Sequence, residues 1–198
     1  TEVAAILIAL HGQFEGVTPL LPTMYGQLSM TRLAALRSFV NGVTGAVGIL
    51  AAQFAALRGL QVAGTASAAT AASAERYGVT VFDYRRHDWS SLVLNTMGRS
   101  DGAIDHTGSS EMQKIVARNG RIVRTAFGGP PGRQRSIAAR GALRALGRHF
   151  SHPRERLCSI PAYVTTRPAR YRRDLSVILD LVDAGRVTPP TPVLFSAD

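Results

Sequence analysis

One run constrains this chain more than any other: Phe39-Val40-Asn41-Gly42-Val43-Thr44-Gly45-Ala46-Val47-Gly48. An apolar stretch, Leu36–Asn41, reads as a strand and leads into three glycines spaced three apart. A helical pattern leads out, because Val47, Leu50, Phe54 and Leu57 fall on one face of Ala46–Arg58, and Gly59 suits the helix stop. Each glycine has a separate role in a strand–turn–helix of this kind. Gly42 permits the tight turn, Gly45 lets the backbone approach a ligand, and Gly48 lets the helix lie close on the strand. The free N–H groups near Ala46 and Val47, aided by the helix dipole, then point toward bound phosphate. The plainer alternative is a glycine-rich turn that binds nothing.

The rest of the chain alternates in the same way. Gln61–Thr65, Val79–Phe82, Gly102–Asp105 and Arg121–Phe127 read as further strands, and Ser67–Tyr77, His87–Met97 and Ser110–Arg118 read as helices between them. Strands separated by helices give parallel neighbours with right-handed crossovers. The expected fold class is therefore α/β, a Rossmann-type doubly wound parallel sheet, as a single nucleotide-binding domain over residues 1–198. Residues 1–35 form a helical lead-in, with helices expected at Val3–Phe14 and Ser29–Leu36 around a Pro19/Pro22 loop. Residues 129–168 are rich in arginine and proline, with a basic helix or partly ordered segment at Arg135–Phe150 and a strand-like stretch at Leu157–Thr165. Residues 169–198 hold a helix at Arg170–Ala184, stopped by Gly185, and a proline-rich tail.

The second strand bears on which nucleotide the turn would take. A site for NAD places Asp or Glu at that strand's end, about 20 residues past the turn, to bond the ribose 2′-hydroxyl. Here the segment is Gly64-Thr65-Ala66-Ser67, without an acid. Small residues leave room for a 2′-phosphate, which Ser67 can contact, so NADPH is the expected cofactor. Arg76, Arg85 and Arg86 are the candidate cations for that phosphate.

Taken in order, these segments resemble the cofactor domain of the medium-chain dehydrogenases/reductases, in the zinc-independent quinone oxidoreductase branch. The match begins at VNGVTGAVGILAAQFAALRGLQVAGTAS and continues through Val81–Arg85, Asp101–Asp105, Gly120–Val123, Phe127-Gly128 and Asp174–Pro189. The resemblance implies NADPH bound along Gly42, Thr44, Gly45, Ala46, Val47 and Gly48, by Thr65, Ser67, Tyr84 and Arg85, with His106, Thr107, Phe127 and Gly128 near the nicotinamide. It implies hydride transfer to an enone- or quinone-like small molecule, and a homodimer. Three departures stand out: the family's N-terminal GroES-like domain is absent, Thr70-Ala71 stands where a Lys or Arg often meets the 2′-phosphate, and Gly129–Pro168 is unusually basic. The first departure motivates two alternatives. One is a redox-silent isomerase or cyclase of secondary metabolism on the same fold. The other is a non-enzymatic NADPH-binding protein.

Other chemistries fare worse. His11, His87, His106, His149 and His152 are not paired with cysteines or carboxylates at metal-ligand spacing, so no metal site is expected. His106 follows a strand's C-terminal end, where open α/β sheets bind ligands, and is the candidate general acid or base. Its bland role is a loop histidine. Ser109 and Ser110 lack a nucleophile elbow and read as helix caps, and the lone Cys158 reads as structural. The net charge is +10, almost all of it arginine, with Lys114 the sole lysine. No basic stripe with interleaved aromatics and no nucleic-acid-binding motif accompanies that charge, so a solvated basic face is expected rather than a specific nucleic-acid site. TEVAAILIAL is too short to span a membrane and lacks a signal-peptide layout, so a cytoplasmic protein with no membrane contact is expected.

Overall fold

The computed structural model describes residues 36–57, 59–125, 154–158 and 160–190. Six strands and six helices occur among them. In chain order they are β1 (Arg37–Val40), α1 (Ala46–Leu57), β2 (Gln61–Ala66), α2 (Ala72–Glu75), β3 (Thr80–Asp83), α3 (Trp89–Met97), β4 (Ser100–Asp105), α4 (Glu111–Ile115), β5 (Val116–Arg124), β6 (Arg154–Leu157), α5 (Ile160–Thr166) and α6 (Pro168–Asp183). The sheet order is β3-β2-β1-β4-β5-β6, and every neighbouring pair is parallel. This is the strand order of a doubly wound Rossmann sheet.

Strand residues alternate between two cores, as the period of two requires. On one face Val40, Val62, Ala66 and Ile104 pack with Ile49, Leu50 and Phe54 of α1 and with Ile178 of α6. On the other, Phe39, Ala63, Ala103 and Ile122 pack with Val93, Met112 and Ile115. Phe39 is fully buried and stacks on Trp89 with ring centroids 5.8 Å apart. Burying a side chain of that size contributes about 1.5–3 kcal/mol. The C-terminal segment is tied down through the buried Gln53. Its amide donates to the Thr188 carbonyl at 3.0 Å and accepts from the Thr188 N–H at 2.8 Å.

Three sequence expectations need correction. Leu157–Thr165 is not a strand: β6 ends at Leu157 and a helix begins at Ile160. Ile160, Val164, Thr165 and Tyr163 have strand-forming composition, but Pro161 falls in the first helical turn, where its missing N–H has no partner to lose. Ser110–Arg118 is helical only from Glu111 to Ile115, because Val116 already pairs with Ser100 and opens β5. Ser67–Tyr77 holds just the four-residue α2. Its leading half is a turn in which Thr70 and Ser73 hydroxyls donate back to the Ser67 and Thr70 carbonyls, the usual competitor of helical bonding. The helices expected at Val3–Phe14, Ser29–Leu36 and Arg135–Phe150, and the tail past Pro190, lie outside the described residues. Among those described, no helix is long and apolar enough to cross a membrane.

Candidate functional site

The strand order reverses direction between β1 and β4, which lie side by side in the sheet. Such a switch point opens a crevice at the C-terminal ends of the two strands, where doubly wound sheets take their ligands. Asn41 follows β1 there, and Asp105 ends β4. The Asn41 amide donates across the crevice to Asp105 Oδ1 at 2.6 Å and to Thr107 Oγ1 at 3.0 Å.

The glycine turn forms one wall. Gly42 has φ +71°, and a Cβ there would lie 2.4 Å from Cε1 of His106. The imidazole thus rests on the bare Cα of Gly42. Its Nδ1 donates to the Asn41 carbonyl at 3.0 Å, because a carbonyl can only accept. Nε2 of the neutral ring then carries the lone pair. At Gly48 a Cβ would lie 2.3 Å from the Gly42 carbonyl oxygen, so only glycine lets α1 sit this close. Gly45 bonds the Gly42 carbonyl through its N–H at 3.1 Å and caps α1 by accepting from Ile49 N at 2.9 Å. The N–H groups of Ala46 and Val47 lie in the first turn of α1, which intrahelical bonding leaves free.

Thr65 binds the turn to β2. Its hydroxyl accepts from Gly42 N at 2.9 Å and donates to Asn41 Oδ1. Just beyond β2 the hydroxyls of Thr44, Thr70 and Ser67 form a chain, 3.1 Å from Thr44 to Thr70 and 2.9 Å from Ser67 to Thr70. All three lie in the turn segments that border the crevice, and no acid stands at the end of β2. Tyr84 N–H donates to the Ala66 carbonyl at 3.3 Å, which sets Tyr84 and Arg85 beside this cluster. The Tyr84 ring is exposed, with the Arg85 guanidinium 5.8 Å from its centroid.

Beneath the crevice lies a charged network that the sequence reading did not anticipate. Asp105, Arg124 and Glu155 are all buried. Arg124 bonds Asp105 Oδ2 through one terminal nitrogen, and Glu155 through Nε at 3.2 Å and the other terminal nitrogen at 3.1 Å. Gln113 donates to Glu155 at 2.8 Å, and Arg124 also donates to the Ser109 carbonyl at 3.0 Å. Burial by itself pushes the Asp105 carboxyl up. The Asn41 bond, the Arg124 charge and the Thr107 donors outweigh that and hold it below the usual carboxylate range.

Most of the expected site residues lie along the C-terminal edge of the sheet. Gly42, Thr44, Gly45, Ala46, Val47, Gly48, Thr65, Ser67, His106 and Thr107 border one crevice, with Tyr84 and Arg85 at its far end. Phe127 and Gly128 lie outside the described residues. Ser109, rather than Ser110, caps α4, its hydroxyl accepting from Glu111 N at 3.2 Å. Among the described residues no group of three or more His, Cys, Asp or Glu could hold a metal ion. Asn41, Asp105, Arg124 and Glu155 are not among the expected site residues, and Thr70 enters there only as standing where a Lys or Arg often meets the 2′-phosphate. One signal was present: a carboxylate ending an otherwise apolar strand needs a buried partner.

Two features fit a dinucleotide. The cradle at Gly42 and Gly48 has no space for a Cβ, and the end of β2 carries hydroxyls in place of a carboxylate. The fold has counterparts among solved structures. A chain described as an enoyl reductase domain of polyketide synthase matches with a TM-score of 0.64 at 24% identity, covering 96% of this chain and 98% of that one. The nucleotide-binding subdomain of the enoylreductase domain of PpsC from Mycobacterium tuberculosis matches with a TM-score of 0.60 at 25% identity, over 78% of this chain and 86% of that one. Escherichia coli quinone oxidoreductase, solved in complex with NADPH, matches with a TM-score of 0.63 at 21% identity, over 94% and 54%. This chain thus spans about half the length of that quinone oxidoreductase. No family model and no curated protein matches the chain. Its fold is that of the NADP-binding part of the enoyl reductases and quinone oxidoreductases, within the medium-chain dehydrogenase/reductase superfamily.

Proposed function

We propose that this chain binds NADPH at the β1/β4 switch point and is the cofactor part of an oxidoreductase acting on enone- or quinone-like substrates. The observation that supports the reading is the tight β1–α1 turn, where a Cβ at Gly42 would strike His106 and one at Gly48 the turn's own backbone, so that α1 starts close behind β1 with its first N–H groups free. NADPH, when bound, supplies a hydride.

The chain's own residues bind and orient. The free N–H groups of Ala46 and Val47 face the diphosphate, helped by the positive end of α1. The hydroxyls of Thr44, Ser67 and Thr70, with Arg85 near them, serve the 2′-phosphate, and the exposed ring of Tyr84 offers a stacking face for adenine. His106 and Thr107 stand at the nicotinamide end, where the resemblance also puts Phe127 and Gly128. A substrate that accepts a hydride at carbon also needs a proton to complete the reduction. His106 is placed to give it: Nδ1 is held by the Asn41 carbonyl, so the protonated ring releases its proton from Nε2.

Calorimetric titration with NADPH and NADH, at low and moderate salt, tests the reading. NADPH is expected to bind more tightly than NADH, and to keep binding at moderate salt, because specific hydrogen bonds are screened less than the general attraction of a basic surface. Binding of neither nucleotide overturns it. Binding without any NADPH oxidation across a panel of enones overturns the hydride-transfer half alone.

A further inference from the structure

Six donors of the chain converge on one buried carboxylate. Asp105 Oδ1 accepts from Asn41 Nδ2 at 2.6 Å, Thr107 Oγ1 at 2.8 Å and Thr107 N at 3.1 Å. Oδ2 accepts from Gly108 N at 2.7 Å, Ser109 N at 3.2 Å and Arg124. Three successive backbone N–H groups, those of residues 107 to 109, therefore close on Asp105 and fix the course of the loop that carries His106.

The same carboxylate reaches the glycine turn. Gly42 N–H donates to the Thr65 hydroxyl, which donates to the Asn41 amide oxygen, and the Asn41 amide nitrogen donates to Asp105. On the other side Arg124 passes the connection to Glu155 on β6 and, through it, to Gln113 on α4. One unbroken hydrogen-bonded path thus joins the turn that follows β1 to the loop that follows β4. The two segments are far apart in the chain and also meet directly, where His106 Nδ1 bonds the Asn41 carbonyl and Asn41 Nδ2 bonds Thr107 Oγ1, and the carboxylate ties these contacts into one network. A charged acceptor suits such a junction, because bonds to a carboxylate are shorter and about twice as strong as neutral ones.

We propose that Asp105 is a positioning residue that sets the 106–109 loop against the glycine turn, so that its charge governs recognition of the nicotinamide half of a bound dinucleotide and not of the adenosine half. The proposal rests on the NADPH reading above. The adenosine-side groups do not bond Asp105: Thr44 lies in the turn after β1, Ser67 and Thr70 follow β2, and Arg85 follows β3.

The two halves are separated by titrating the 198-residue chain with NADPH and, in parallel, with adenosine 2′,5′-bisphosphate, which lacks the nicotinamide. Asp105→Asn keeps the shape but turns an NH₂ toward donors. It is expected to weaken NADPH by about tenfold, the weight of one bond to a charged group, and the bisphosphate by less than about twofold. Thermal unfolding reports whether the variant folds. Asn41→Ala cuts the path while leaving the Asp105–Arg124 pair intact, and is expected to give the same one-sided loss if Asp105→Asn does not fold. Equal losses for both ligands, as a general loosening of the fold would give, or no loss for NADPH, overturn the proposal. Binding of the bisphosphate with undiminished NADPH affinity in both variants overturns it while leaving the NADPH reading intact. Binding of neither ligand by the wild-type chain overturns both.

Discussion

Gly48→Ala isolates the demand that the turn makes on the sequence. A Cβ built at Gly48 lies 2.3 Å from the Gly42 carbonyl oxygen, 2.8 Å from Val43 Cα and 2.9 Å from the Val43 carbonyl carbon. Non-bonded heavy atoms settle near about 3.5 Å, so roughly 1 Å of separation has to open. All three of these neighbours are backbone atoms, and no flexible side chain can swing away. Over-packing of this kind costs about 1–3 kcal/mol, and the gain in helix propensity from Gly to Ala returns about 1 kcal/mol. The net loss is up to about 2 kcal/mol, or up to roughly 8 °C in Tm for a chain of this size. Gly45→Ala is the control. Its Cβ would meet only the Gly42 carbonyl oxygen, at 3.4 Å, so the cost is that of a poorer cap, under about 1 kcal/mol. Urea unfolding followed by circular dichroism reads both. Gly48→Ala is expected to lower the midpoint at unchanged slope, since the same surface is exposed. If Gly48→Ala is as stable as wild type while Gly45→Ala falls, the packing of α1 on the turn is not what Gly48 serves.

Two further outcomes follow from the buried groups. The Asp105 carboxyl is held below its usual range, so the stability it contributes is complete above its ordinary value near about 4 and is lost as pH falls through the lower folded value; urea midpoints measured from pH 6 down to pH 3 should drop in that acid limb, and less steeply in Asp105→Asn. Burial pushes the Cys158 thiol up to about 11, so iodoacetamide at pH 8 should label the native chain far more slowly than the urea-unfolded one, and equal rates would contradict the buried placement.

The parts of the fold legible in the sequence are those written locally. The glycine turn, the face of α1 and the acid-free end of β2 each lie within a few consecutive residues, and the period of the apolar residues gave the parallel α/β arrangement. The place of His106 at the C-terminal edge of the sheet was legible because position after a strand fixes which end of the sheet a residue occupies. The failures share a cause as well. α2, α4 and α5 are single turns or little more, and pairing or back-bonding at Val116, Thr70 and Ser73 overrides so short a propensity. The Asp105 network was illegible because its members lie apart in the chain: Arg124 is 19 residues from Asp105 and Glu155 is 31 from Arg124. A sixth strand had to be placed beside β5 before that carboxylate and that guanidinium could meet.

That network also says something about why the chain keeps it. Three buried charges, two carboxylates around one guanidinium, are an expensive way to hold a sheet together: desolvating each costs several kcal/mol, and well-packed apolar residues of similar volume often serve stability as well or better. What apolar residues cannot do is accept hydrogen bonds from three successive backbone N–H groups and an asparagine at the same time. Asp105 does so, and Arg124, fixed in turn by Glu155, keeps the carboxylate ionised and aimed. The charges are therefore best understood through the loop they shape, which places His106 over the bare Cα of Gly42 at the β1/β4 switch point.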